Sequence, residues 1–242
     1  GTSFAEVWQA PRKGKVVFLT AEDKRDVLHS RLYYMRPPME WKDDLIANMD
    51  VTTLAGSIPR LLTVGKNRVP ERGEWFEDML SLATDCRLLI VDPLSRFHNC
   101  DENDASHMTM MVQTFEEIAA QTGAAIIFTH HSNKGGQQHG AGGNQSSARG
   151  SSALTDGVRW QMNMWKMSKE EAQEMHVPDD VRWKYVALTM AKANNIPMDT
   201  VTWLERGEGG VLGPASFSIP GQDLNLGTKP NPGYDQMMGV RK

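Results

Sequence analysis

Residues 87–92 read RLLIVD. Four apolar residues in a row, closed by an aspartate, describe a strand buried on both faces with an acid at its carboxyl end. Two other runs have the same form. Residues 15–20 (KVVFLT) follow Gly14 and lead into Ala21, Glu22 and Asp23. Residues 124–129 (AAIIFT) lead into His130 and His131. Helical patterns lie between them. Residues 71–84 place Trp75, Phe76, Met79, Leu80 and Ala83 on one face, and residues 104–122 do the same with Met108, Met111, Val112, Phe115, Ile118 and Ala119. Gly123 stops the second. Residues 23–35 predict a third helix with a stripe of Val27, Leu28, Leu32 and Met35. Thr20 and Asp23 fit a capping box at its start, and Arg36-Pro37-Pro38 ends it. A short strand is expected near 51–54 and a loop over 56–70. Buried strands alternating with helices mean an α/β fold with a mainly parallel sheet flanked by helices.

The rest of the chain reads differently. Residues 132–148 are rich in Gly, Gln, Ser and Asn, without apolar periodicity, and predict a long loop. Val158, Trp160, Met162 and Met164 alternate with polar residues, as in a half-exposed strand. Ser168 with Glu171 caps a short helix. Residues 182–191 and 200–205 predict two added C-terminal strands, with a turn at 207–210. A single core over 1–212 and an extended tail over 213–242 are expected.

Composition sets the outer bounds. The chain has 242 residues, 40% of them apolar and 23% charged, which is ordinary for a globular protein with a real core. No run approaches about 18 apolar residues, so no membrane span is expected. The start carries no basic-plus-apolar signal segment. Two cysteines without a CxxC exclude a disulfide scaffold and a thiolate zinc site, and fit the cytoplasm. The net charge of −4 means that any nucleic-acid contact is a local surface.

In parallel sheets, ligands sit beyond the carboxyl ends of the strands. Here those ends carry Glu22, Asp92 and the His130-His131 pair. An apolar strand closed by aspartate is the Walker B pattern: a rigid strand fixes a carboxylate that holds Mg²⁺ directly or through its waters. Strands often end in aspartate for turn reasons alone, so Asp92 is weak evidence by itself. Glu22 can polarise an attacking water, or merely favour a helix N-terminus. A histidine at a tip can report a terminal phosphate, or simply pack. Acid, acid and histidine at consecutive tips, followed by a long polar loop, make an NTPase layout.

The order of these blocks resembles the hexameric replicative helicases with a RecA-like core, and their RepA-like branch most closely. The matching stretches are VVFLTAED (16–23), GSIP (56–59), EWFEDML (74–80), RLLIVDPLSRFH (87–98), IIFTHHSNKG (126–135), ARGSSALTDGVRWQ (148–161) and AKAN (191–194), spread over about residues 14–212. The resemblance implies ATP and Mg²⁺ as cofactors, single-stranded DNA as partner and a homo-hexameric ring. It implies that Glu22 is the catalytic glutamate and that Asp92 is the Mg²⁺-side aspartate. His130 falls in the motif thought to sense the γ-phosphate, with His131 beside it. Arg149 matches an arginine that reaches a neighbouring subunit's nucleotide. Lys192 resembles the lysine of a KxRxG signature, but the next basic position is Asn194, which favours Arg149 as the finger. The loop 132–148 corresponds to one facing the central channel, where Lys134 would meet DNA phosphate.

The phosphate loop, GxxxxGK[ST], does not occur in these 242 residues. In the family it precedes the stretch matching 1–14, so the sequence is expected to begin after it. The polypeptide alone is then expected to hydrolyse ATP poorly. Two other functions fit the same residues: a nucleotide-independent DNA-binding or scaffold protein derived from the fold, and a RecA-type recombination or regulatory ATPase.

Overall fold

The computed structural model describes residues 3–4, 8–9, 12–35, 42–66, 68–132, 150–193, 201–219 and 222–224. In chain order the elements begin β1 (Ser3–Phe4), β2 (Trp8–Gln9), β3 (Val16–Thr20), α1 (Arg25–Met35), α2 (Lys42–Asn48) and β4 (Met49–Thr53). Next come β5 (Leu62–Val64), β6 (Pro70–Arg72), α3 (Phe76–Ala83), β7 (Leu88–Asp92), α4 (Ala105–Thr122), β8 (Ala125–Phe128) and α5 (Ser152–Gly157). The last are β9 (Trp160–Lys166), α6 (Lys169–Glu174), β10 (Tyr185–Ala193), β11 (Thr202–Arg206), β12 (Leu212–Pro214), β13 (Phe217–Ile219) and β14 (Gln222–Leu224). The described residues divide into two compact units, one from Lys13 to His131 together with 150–157, the other built from the remainder.

The first unit is centred on a parallel sheet of order β4-β3-β7-β8. Three of its strands, β3, β7 and β8, are the apolar runs of the sequence, but they are not buried on both faces as expected: burial alternates along β3 and β7, and Ile127 of β8 is 37% exposed. Leu19, Leu89 and Val91 are 0% exposed and Val17 is 1% exposed. Each such side chain contributes roughly 1.5–3 kcal/mol on burial. α3 buries Phe76, Met79 and Ala83. α4 buries Met108, Met111, Val112, Phe115 and Ile118, the predicted stripe without Ala119. Asp104 caps α4, accepting from the backbone N–H of Ser106 (2.8 Å) and His107 (3.3 Å). The Ser106 hydroxyl, followed by those amides, holds the Asp104 carboxyl below its usual range. Gly123 ends the helix at φ 74°, in the left-handed region that glycine enters without steric cost.

Several local expectations change. The predicted stripe of α1 is not a packing face. Only Leu28 is buried, while Val27 is 41% and Met35 60% exposed. An open groove lined by Arg25, Leu28, His29, Leu32, Val51, Thr52 and Thr53 runs between α1 and β4. Nor do Thr20 and Asp23 form a capping box. The Thr20 hydroxyl does accept from Asp23 N (3.3 Å), but the helix starts two residues later at Arg25, and the Asp23 carboxylate bonds Arg31 instead. The expected loop at 56–70 contains β5 and the start of β6, an antiparallel pair. Leu61 and Leu62, both 0% exposed, draw that segment into the core, where Leu61 N donates to Phe97 O (2.7 Å). The helix expected from residue 71 therefore begins at Phe76.

The second unit holds an antiparallel sheet of order β12-β11-β10-β9. Its core includes Trp165, Met167, Ala172, Ala187, Trp203, Ala215 and Phe217. The predicted Ser168–Glu171 capping box is present at α6, and Trp165 Nε1 donates to Glu171 Oε1 at 3.0 Å. The expected boundary at residue 212 is not where packing stops. Ala215 (1% exposed) and Phe217 (6%) lie beyond it and belong to this core. No helix among the described residues is long and apolar enough to cross a membrane.

Candidate active site

The carboxyl ends of β3, β7 and β8 lie side by side because the strands are parallel and in register. Thr20 is level with Asp92, and Val91 with Phe128. Backbone bonds carry the alignment one residue further: Ala21 N donates to Asp92 O (2.8 Å) and Thr129 N to Val91 O (3.0 Å). Glu22, Asp92 and His130 are thereby brought to one edge of one sheet.

Asp92 is half-buried and held by two hydroxyls. Thr129 Oγ1 donates to its Oδ1 at 2.5 Å and Thr20 Oγ1 to its Oδ2 at 3.4 Å. Thr20 itself is 0% exposed. These two threonines, the last of each neighbouring apolar run, hold the candidate residue Asp92, a contact that strand-reading alone passes over. Among the described residues no group of three or more His, Cys, Asp or Glu is gathered as a metal cage. A single carboxylate flanked by hydroxyls suits Mg²⁺, which keeps most of its waters and takes one or two carboxylates beside substrate phosphates.

Beyond Asp92 the chain makes a single 3₁₀ turn, Leu94–Arg96, pinned by the fully buried Leu94, whose N–H donates to Thr129 O at 2.9 Å. That turn aims Arg96 at Glu22. Nε and Nη2 of Arg96 both stand 3.2 Å from Glu22 Oε1. The carboxylate is accessible and already has a cationic partner.

His130 is half-buried and His131 exposed. His98 is only 4% exposed. Its Nδ1 accepts from Cys100 N (3.1 Å), so the proton of the neutral ring sits on Nε2, which faces Glu102 Oε1 at 4.0 Å. Arg60 donates to the backbone oxygen of His98. Burial lowers the affinity of the His98 ring for a second proton, the carboxylate of Glu102 opposes this, and the charges of His130 and Arg60 reinforce it. Cys86 and Cys100 are buried too, and burial pushes the Cys100 thiol up to about 11, so neither offers a nucleophile at neutral pH.

Glu102 also holds the chain where α5 begins. Its backbone oxygen accepts from Ser151 N at 2.7 Å. Gly150 stands against the same oxygen at φ 89°, and a Cβ there would lie 2.4 Å from it. Only glycine fits. Lys192 is on β10 of the second unit, at the register shift between Met190 and Lys192. Arg149 and Lys134 lie outside the described residues.

Residues 1–137, more than half of the chain, match the AAA domain family, and the chain belongs to it. Among solved structures it is similar to a DnaB-like replicative helicase whose interactions with primase were described, with a TM-score of 0.53 and 12% identity. That match covers 83% of this chain and 51% of the other, so the chain spans about half the helicase's length. A second similar structure is the RadB recombinase, with a TM-score of 0.48, 12% identity, and coverage of 84% and 79%. The fold is the RecA-like α/β core, with a parallel sheet flanked by helices and added antiparallel C-terminal strands.

Proposed function

We propose that this chain forms the hydrolytic edge of an ATP-driven DNA helicase subunit of the RepA-like branch, which assembles as a homo-hexamer and moves on single-stranded DNA. What supports this is the in-register parallel pairing of β3, β7 and β8, whose adjacent carboxyl ends lead into Glu22, Asp92 and His130. ATP lies across these tips. Glu22, once released from Arg96, accepts a proton from the attacking water. Asp92, oriented by Thr129 and Thr20, takes the metal side of the site, where Mg²⁺ supplies charge neutralisation to the phosphates. His130 donates a hydrogen bond to the terminal phosphate, with His131 at the mouth. Arg149, or Lys192, comes from a neighbouring subunit to stabilise the transferring phosphoryl group. Lys134 meets DNA phosphate in the channel.

The test is nucleotide binding by calorimetry and ATP turnover with and without single-stranded oligonucleotide. Both are measured on this polypeptide. Glu22→Gln is expected to keep binding and lose turnover. Turnover undiminished in that variant sinks the assignment. DNA binding with no nucleotide binding at all supports the scaffold function instead, and strand exchange without unwinding supports a recombination ATPase.

A further inference from the structure

Glu22 and Arg96 come from positions 74 residues apart, and each is fixed at its backbone but loose at its tip. On one side, Ala21 is 7% exposed and its N–H donates to Asp92 O at 2.8 Å, while Asp23 N donates to Thr20 Oγ1 at 3.3 Å. On the other, Leu94 and Phe97 are both 0% exposed. Leu94 N donates to Thr129 O at 2.9 Å, and Phe97 O accepts from Leu61 N at 2.7 Å. Between these anchors the side chains of Arg96 and Glu22 are themselves exposed. Their contact is also poorly matched. Nε and Nη2 both crowd onto Oε1, whereas the strong arrangement sets two guanidinium nitrogens against two oxygens.

We propose that Arg96 is a positioning residue that acts as a phosphate-responsive latch on Glu22. Without phosphate at the sheet edge, the guanidinium holds the carboxylate. A phosphate group offers several acceptor oxygens in a geometry that the guanidinium fork matches, and it takes Arg96 from Oε1. An exposed ion pair is too weak to resist this exchange. Glu22 is then left to reach for water, which a general base must meet within hydrogen-bond distance. Only the two side chains have to turn, because the backbone bonds on both flanks stay in place. The position suits such a ligand, since ligands gather beyond the carboxyl ends of parallel strands. This rests on the reading of Glu22 as the base and adds the signal that releases it: a phosphate ester or anhydride, from a nucleotide or from a nucleic-acid backbone.

The experiment is an NMR titration of the whole chain, with inorganic tripolyphosphate in one arm and a thymidine oligonucleotide in the other. It reads the Arg96 Nε–H and the Glu22 carboxyl carbon. In the wild type both signals are expected to move with one midpoint in at least one arm, and the arm with the lower midpoint names the source of the phosphate. In Arg96→Gln the Glu22 signal is expected to stay still. In Glu22→Gln, where the carboxylate no longer competes for the guanidinium, the Arg96 midpoint is expected to be roughly threefold lower, the worth of an exposed ion pair. Asp23→Asn removes the same charge from a residue bonded to Arg31 instead, and should leave that midpoint near the wild-type value. Arg96 indifferent to both anions overturns the latch. So does a Glu22 signal that still responds in Arg96→Gln, or an equal gain in Glu22→Gln and Asp23→Asn. None of these readings needs turnover. Failure of the helicase assignment shows instead as undiminished turnover in Glu22→Gln, so the two failures are distinguishable.

Discussion

Arg96 approaches Glu22 with two nitrogens, Nε and Nη2, each 3.2 Å from the same carboxylate oxygen. The side chains are 57% and 42% exposed, so solvent screens the pair and its contribution to stability is small, about 0–1 kcal/mol. Its meaning is local: it gives the Glu22 carboxylate a cationic partner at the sheet edge. Arg96→Ala and Glu22→Gln should each shift urea unfolding by no more than about 1 kcal/mol. Turnover should separate them. Glu22→Gln removes the proposed base and is expected to lower kcat by about 10²–10⁴-fold. Arg96→Ala only frees the base. Equal losses in the two variants contradict this division of roles.

Asp92 takes a direct bond from Thr129 Oγ1 at 2.5 Å. Thr129→Val keeps the shape and removes the donor. Unfolding free energy should fall by about 1 kcal/mol, and the Mg²⁺ concentration needed for half-maximal turnover should rise. Thr129→Ser should restore both. A variant with unaltered Mg²⁺ dependence separates Thr129 from the metal side of the site.

The buried His98 makes stability depend on pH in a definite sense. Its folded-state proton affinity is lowered below the ordinary value of 6.5. As pH falls through that value, the unfolded chain takes up a proton that the folded ring refuses. The unfolded state is then favoured, and stability falls with pH down to the lower midpoint of the folded ring. Above the ordinary value His98 contributes no slope. Denaturant unfolding between about pH 7 and pH 5 should therefore show a smaller loss in His98→Gln than in the wild type. An identical loss places the acid sensitivity elsewhere.

Gly150 combines φ 89° with a backbone oxygen where a Cβ would stand at 2.4 Å. Gly150→Ala should cost about 1–3 kcal/mol, read as a lowered denaturation midpoint. Gly56 also has a positive φ but open space around it, so Gly56→Ala should cost less. A reversal of that order would mean that the turn before α5 moves aside freely.

The strand tips were legible because these runs are apolar throughout and Asp92 and Glu22 follow them abruptly, although one face stays partly open, with Ile127 of β8 37% exposed. Gly123 and the Ser168–Glu171 pair were legible because capping chemistry is local. Periodicity failed at α1: Val27, Leu28, Leu32 and Met35 recur as a helix requires, but spacing does not say whether anything covers them. It also failed at Leu61 and Leu62, a pair too short to signal a strand and surrounded by turn formers. His98 was beyond reach for another reason. Its neighbours Arg60, Glu102 and His130 come from separate segments, and only the folded chain brings them to one ring.

Thr20 and Asp92 are bonded across the sheet yet stand 72 residues apart in the chain. Parallel pairing of that kind needs a long crossover and large loop closures, which form slowly and late in folding. No local fragment contains the site in miniature, unlike a glycine-rich turn or a metal-binding hairpin. During refolding, the capacity to recognise nucleotide should emerge no earlier than the burial of Leu89 and Val91 between β3 and β8. A nascent chain exposing only β3 would carry Glu22, the proposed base, without Asp92.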